Sequence, residues 1–183
     1  MPVYIAMLRG VNVGRNSLKM DRLREICGEL GFKNAKTYVQ SGNIVFEAKG
    51  EPSRWCGKLE HALATEVRLP VSIVVRTPAE MRAVIARNPF LRQGIDTTKL
   101  HVTFLAKAPG KIARDALARI ATNGDEHHLS GENIYLHCPS GYGRTKLSNN
   151  ALEKALGVRA TTRNWNTVKA LYALAIDKSA DGA

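Results

Sequence analysis

The stretch Ala35–Ala48, "AKTYVQSGNIVFEA", holds two runs of strand-forming residues separated by "QSGN". Ser-Gly and Gly-Asn are turn dipeptides: glycine accepts the backbone angles of a tight reversal, and asparagine hydrogen-bonds its own backbone. The stretch reads as a β-hairpin. Upstream, Met20, Leu23, Ile26, Cys27 and Leu30 recur at helical spacing, with Gly31 placed to cap the C-terminal end. Val3–Leu8, before that helix, is almost continuously apolar, as in a central strand buried on both faces. Downstream, Trp55, Leu59, Ala62 and Leu63 stripe a second helix that Pro70 ends, and "VSIVVR" (71–76) is a closing strand. The order over residues 1–76 is β-α-β-β-α-β.

The same order returns further on. "KLHVTFLA" (99–106) is a strand, and Ile112, Ala116, Leu117 and Ile120 stripe a helix stopped by Gly124. "EHHLSGENIYLH" (126–137) is a hairpin, "NNALEKALG" (149–157) a short helix and "RATTR" (159–163) a strand. Trp165, Val168, Leu171, Tyr172 and Ala175 make a final helix. Between the two passes, Thr77-Pro78-Ala79-Glu80 has the form of a helix start: a threonine cap, proline in the first turn and glutamate three residues after the cap. Met81, Val84 and Ile85 follow on one face until "NPF" (88–90) breaks the helix, and 92–98 reads as a loop.

These patterns predict an α+β chain, a tandem pair of ferredoxin-like lobes with antiparallel sheets, a linking helix and a C-terminal helix. The expected divisions are a first lobe over 1–76, a linking helix and loop over 77–98, a second lobe with the C-terminal helix over 99–176, and a disordered tail over 177–183. One continuous sheet holding both hairpins is the alternative.

Composition narrows the function classes. A hydrophobic share of 44% suits a packed globular chain. The apolar run at the N-terminus stops at Arg9, too short for a signal-peptide core or a membrane span, so a cytoplasmic protein with no membrane partner is expected. Cys27, Cys56 and Cys138 have no close pairing, and His127 and His128 are adjacent. Adjacent residues on a strand face opposite ways, so neither a disulfide framework nor a metal site is expected, and no cofactor. The net charge of +11, from 27 basic and 16 acidic residues, favours polyanions, but no basic tail or block stands out.

Topology gathers the candidate residues. In a β-α-β-β-α-β unit the end of the first strand and the turn of the hairpin lie at one end of the sheet. "LRGVNVGRNS" (8–17) and "QSGN" (40–43) then meet, collecting Arg9, Asn12, Gly14, Arg15, Asn16, Lys19, Gln40, Ser41 and Asn43. In the second lobe, "PSGYGRTKLS" (139–148) and "TTRNW" (161–165) meet at the opposite end, collecting Tyr142, Arg144, Lys146, Thr162, Arg163, Asn164 and Trp165.

The first loop fits neither well-defined nucleotide motif. A phosphate-binding Walker loop needs four residues between its glycines and then Lys-Ser or Lys-Thr; three separate Gly10 from Gly14, and Arg-Asn follows. A dinucleotide fingerprint belongs to a parallel βαβ unit. What survives is a glycine-turned helix start flanked by cations, which suits an anion or simply a tight turn with an asparagine cap. In "TTRNW", Arg163 has the fork to grip phosphate and Trp165 the ring to stack a base. The structural alternative makes Asn164 or Thr162 a helix cap and Trp165 a core anchor. Tyr142 and Lys146 match the Tyr-x-x-x-Lys spacing of short-chain dehydrogenases, but two glycines in "SGYGRTK" make a loop where those enzymes have a helix, so the match is accidental.

Three motifs, "LRGVNVGRNSLKM" (8–20), "TYVQSGNIVF" (37–46) and "TKLSNNALEKALGVRATTRNWNTV" (145–168), resemble a bacterial family catalogued as domain of unknown function 1697. The resemblance spans essentially the whole chain. It implies tandem ferredoxin-like lobes and no established activity.

The clusters hold amides, hydroxyls and cations without a carboxylate pair, histidine or cysteine, so positioning and charge stabilisation are at hand and an obvious acid–base pair or nucleophile is not. The expectation is an anion-binding protein whose partner is nucleic acid or a phosphorylated small molecule. The alternatives are an enzyme acting on a phosphorylated small molecule, and a protein-interaction module. The sequence leaves the oligomeric state open.

Overall fold

The computed structural model describes residues 1–12, 17–39 and 42–180. The chain divides into two units, Met1–Arg82 with Ala170–Ala183, and Ala83–Lys169.

The first unit runs β1 (Val3–Arg9), α1 (Met20–Glu29), β2 (Lys33–Tyr38), β3 (Asn43–Glu47), α2 (Pro52–Val67) and β4 (Ser72–Arg76). Its sheet has the order β2-β3-β1-β4 with every pairing antiparallel. Side chains alternate along β1. Tyr4, Ala6 and Leu8 join Ile44, Phe46 and Ile73 in a core with Leu23 and Ile26 of α1 and Trp55, Leu59 and Leu63 of α2. Four rings fill its centre: Phe32 stacks on Phe46 at 4.6 Å, and Trp55 meets Tyr4, Phe32 and Phe46 edge-on, each at 5.2 Å. The alternate residues Ile5, Met7, Val45 and Val74 are buried as well, so β1, β3 and β4 are covered on both faces, while the edge strand β2 is exposed to half-buried.

In the second unit, β5 (Leu100–Leu105), α4 (Lys111–Ala118), β6 (Glu126–Ser130), β7 (Asn133–His137), α5 (Asn149–Leu156) and β8 (Ala160–Asn164) give a sheet of order β6-β7-β5-β8, again antiparallel throughout. Leu105, Ile134, Leu136 and Ala160 form one face with Leu117 of α4 and Leu152 and Leu156 of α5. Val102, Phe104 and Tyr135, on the other face, are buried too. The Tyr135 hydroxyl donates to the Val84 carbonyl at 2.9 Å.

The two sheets share one register. Met7 faces Asn43 and Ile5 faces Arg76; Phe104 faces Asn133 and Val102 faces Arg163. Leu8 N–H donates to the Gly42 carbonyl at 2.8 Å, and Leu105 N–H to Glu132 at 2.9 Å. Arg76 and Arg163 are both buried, and each guanidinium donates to the carbonyl of the residue before it, at 2.8 and 2.9 Å. The units differ in their loops: β1 joins α1 through ten residues and β5 joins α4 through five.

Helix α3 (Pro78–Ala86) and helix α6 (Trp165–Ala180) each contain a boundary between the units. The capping box read at Thr77–Glu80 is formed: Thr77 N–H donates to the Glu80 carboxylate at 2.7 Å, and Glu80 N–H to the Thr77 hydroxyl at 3.2 Å. Two expectations are corrected. The loop expected over 92–98 is bordered by 3-10 turns at Pro89–Gln93 and Thr97–Lys99, because Asn88 and Asp96 accept from the N–H groups of Phe90 and Thr98. Of the tail expected over 177–183, residues 177–180 belong to α6, and 181–183 lie outside the described residues. Its "DKSA" holds neither glycine nor proline, so nothing stops the helix.

Gly10 and Gly42 are fixed by space. Both have positive φ, +92° and +74°. A Cβ on Gly10 would stand 2.4 Å from the Pro70 carbonyl oxygen, and one on Gly42 2.6 Å from Val11 and 2.9 Å from Leu8. Gly131, in the equivalent turn of the second unit, has φ +59° and open space around it. Gly10→Ala and Gly42→Ala are each expected to cost at least about 2 kcal/mol, and Gly131→Ala only about 1, in urea unfolding. Equal costs at all three would show that backbone angle alone, and not packing, selects these glycines.

Candidate functional site

In the first unit the end of β1 and the last residues of the hairpin turn come together. The Leu8–Gly42 hydrogen bond and the seat of Gly42 against Val11 bring the end of β1 onto the start of β3. Asn12 sits in the left-handed region at φ 54°, and its Oδ1 accepts from Leu18 N–H at 2.7 Å, closing the loop just before α1. Leu18 is buried and Lys19 exposed. Arg9 is half-buried at the end of β1 beside Ser72. Gly14, Arg15, Asn16, Gln40 and Ser41 lie outside the described residues. Asn43 is fully buried, with its amide donating to the Tyr38 carbonyl at 3.1 Å, so it secures the hairpin from inside. Asn133 holds the same register in the second sheet, which marks the position as one the hairpin itself uses.

Lys19 is the N-cap residue of α1 and makes no side-chain cap. Good caps carry a short acceptor, and a cation at this end meets the positive end of the helix dipole. Asp21, the acidic residue of the first turn, is engaged by Arg24 of the next turn. Arg22 is held by Glu25, Glu29 and Glu66, so the exposed side of α1 settles its own charges.

In the second unit Tyr142 comes near Arg163 and, through His101, near Asn164. At the far end of its sheet His101 faces Asn164 across the β5–β8 ladder, and Tyr142 stacks on the His101 ring at 4.8 Å. Sequence reasoning missed His101, because its neighbours in space come from strand register and a loop more than 40 residues away. Arg163 lies within electrostatic reach of Tyr142, and burial pulls its guanidinium down to about 10. That guanidinium donates to the Thr161 hydroxyl at 2.7 Å and to the Thr162 carbonyl. The Thr162 hydroxyl joins Thr103 and Asn149, each at 2.7 Å. Arg144 and Lys146 are exposed on the loop.

Asn164 and Trp165 take the structural roles weighed in the sequence. The Asn164 Oδ1 accepts from Thr167 N–H at 2.8 Å as the cap of α6. Trp165 is 2% exposed and leaves no ring face for stacking. Nor does either sheet offer a stacking platform for bases, since the central strands are buried on both faces. Among the described residues no group of three or more His, Cys, Asp or Glu could hold a metal, and no helix is long and apolar enough to cross a membrane.

Burial, opposed by the Lys99 carbonyl, holds the His101 imidazole below its ordinary value of 6.5. The unfolded chain then takes up this proton first. The stability that His101 contributes is full above about pH 6.5 and is lost as pH falls toward the folded value. His127 is lowered as well, by burial and then by His128. His101→Phe keeps a ring against Tyr142 and is expected to flatten part of the fall in stability between about pH 7 and 5, in urea unfolding followed across that range. An unchanged slope would mean that His101 takes up its proton as readily in the folded chain as in the unfolded one.

No curated protein matches the chain. Among solved structures it is similar to the conserved bacterial protein SP0830 from Streptococcus pneumoniae, at 21% identity and a TM-score of 0.75 over 95% of this chain and 98% of that one. At that identity the likeness speaks for the fold alone. Residues 1–135, which include both loops that meet beside α1, match the profile of a family described as "Protein of unknown function (DUF1697)", and the chain belongs to that family.

Proposed function

We propose that the chain is a tandem pair of ferredoxin-like lobes, related as a duplication, that binds a phosphate-bearing anion beside the start of α1. The strand orders and the shared register support the first part. One observation carries the second. Helix α1 begins with a lysine in the cap position, whose side chain forms no cap, next to the approach of the β1 end to Gly42.

For folding alone, this is a local fault. A serine or aspartate at position 19 would satisfy a helix N–H group and suit the dipole. For an anion it is a favourable arrangement: outward N–H groups, a flexible ammonium and a glycine-shaped approach of the backbone. Departures from local rules without a packing reason concentrate at functional sites. Arg15, between Asn12 and Leu18 in sequence, and Arg9 supply further positive charge to the same loop. The helix end contributes only ~0.3–1 kcal/mol, so the cations must provide most of the affinity. The ligand classes are a phosphorylated small molecule and the phosphate of a nucleic acid. The cluster holds no evident nucleophile, so the reading is binding, with phosphoryl chemistry as the alternative.

Lys19→Asp separates the two roles. It is expected to raise thermal stability, by about 1 kcal/mol of capping, and to abolish the heat shift given by nucleotides, sugar phosphates or coenzymes. A variant no more stable than the parent, or one that keeps the full heat shift, would remove this reading. So would a wild-type chain that answers none of these anions at low salt.

A further inference from the structure

The net charge is unevenly shared. Residues 83–169, the second unit, hold 13 basic and 6 acidic residues, which is +7 of the total +11. Four of those acids serve the fold. Asp96 accepts from Thr98 N–H, Asp125 from the Thr145 hydroxyl, Glu153 from Ala160 N–H, and Glu126 pairs with His137. The other two, the exposed Asp115 of α4 and Glu132, whose carbonyl takes the Leu105 N–H at 2.9 Å, stand at the end of the sheet where β5 finishes, and the cations there outnumber them.

Several cations gather where β5 ends and β8 begins, opposite the end that holds Tyr142. Ala106 N–H donates to the Arg159 carbonyl at 2.9 Å, extending the ladder by one step and setting Lys107 beside the Arg159 strand end. Gly110 then starts α4, so Lys111 and Ile112 are its first two residues, and Arg114 folds back to donate from Nε to the Pro109 carbonyl at 3.2 Å. Lys107, Lys111, Arg114 and Arg159 are all exposed. Ile112, among them, is 87% exposed.

We infer that this end of the second unit is a docking surface for the phosphate backbone of a nucleic-acid duplex, separate from the loop site beside α1. Long cationic side chains from a loop, a helix start and a strand end match a partner that repeats its charge at short intervals. A lipid surface would call for an apolar helix face, and Ile112 is a single residue. A protein partner would call for aromatic anchors, and a single strand for stacking rings; the patch has neither. Against a duplex, Ile112 meets sugar or groove edges while the cations meet phosphates.

The test is fluorescence anisotropy of a mixed-sequence duplex of about 24 base pairs, DNA and RNA in turn, titrated with the full chain from about 50 to 200 mM salt. Lys107→Glu/Lys111→Glu/Arg159→Glu is compared with Lys33→Glu/Lys36→Glu/Lys58→Glu, an equal charge change at exposed lysines of the first unit. The first variant is expected to lose at least about tenfold in affinity and about three units of salt slope, and the second far less. Should the reversals fail to fold by circular dichroism, the corresponding glutamine variants give the same comparison. Equal losses in both variants, no duplex binding at low salt, or binding only to phosphatidylserine vesicles or acidic peptides would overturn the inference. Lys19→Asp, run alongside, reports on the α1 site. Loss of its small-anion response with duplex binding intact leaves this surface standing, and the reverse pattern leaves the loop site standing.

Discussion

The first unit depends on one close approach. Gly42 fits against Val11 and Leu8 with no room for a side-chain carbon, and its carbonyl takes the Leu8 N–H. That contact sets the β1–β3 register. The register decides which residues of β1 face α1 and α2, since a slip of one residue would exchange Tyr4, Ala6 and Leu8 for Ile5 and Met7. The same contact seats the loop after β1 on the hairpin turn, which Asn12 then closes against Leu18. The core and the candidate anion site therefore share a single constraint.

Burial on both faces governs where chemistry can occur. A sheet with one open face can read bases or peptides across its strands. Here Met7, Val45, Phe104 and Tyr135 are buried on the faces turned away from α1, α2, α4 and α5. Exposed cations stand instead at helix ends and in loops, among them Lys19, Arg144, Lys146 and Lys111. The buried arginines belong to the frame. Arg76 and Arg163 hold equivalent register positions, and each guanidinium turns back on its own strand. An arginine offered to a ligand would not need a twin in a unit whose loops differ.

Local pattern makes the elements legible in the sequence. The helical stripes, the two hairpins and the capping box at Thr77 all follow from spacing and turn chemistry, and each forms. The approach of the β1 end to Gly42 is legible through strand order alone. Other features depend on distances that sequence does not carry. Asn43 looks like a surface turn residue until pairing with Met7 places it inside. His101 stands between Leu100 and Val102 in an apolar strand, and gains Asn164 from register and Tyr142 from a distant loop. Trp165 and Asn164 fit two roles each, and side-chain burial and one hydrogen bond separate them. The 3-10 turns near residues 89–99 leave little trace in the pattern, because a single Asn or Asp cap suffices for so short an element.

The two units repeat a register and vary what hangs from it. Where β1 leads into α1 through a long, glycine-bearing and asparagine-closed loop, β5 leads into α4 through a short turn, and the first residues of that helix are a lysine and an exposed isoleucine. α1 starts at Lys19 and α4 at Gly110, and neither start has a side-chain cap. Helix α2 goes without one too, but Pro52 in its first turn removes one of the N–H groups to be satisfied. Helix α5, by contrast, has its Ser148 cap in place. The N-cap residues of α1 and α4, which cap with no side-chain hydrogen bond, fall at the equivalent strand-to-helix junction of both units, each time at or beside an exposed lysine. One shared frame thus carries exposed cations beside the strand-to-helix junction of each unit.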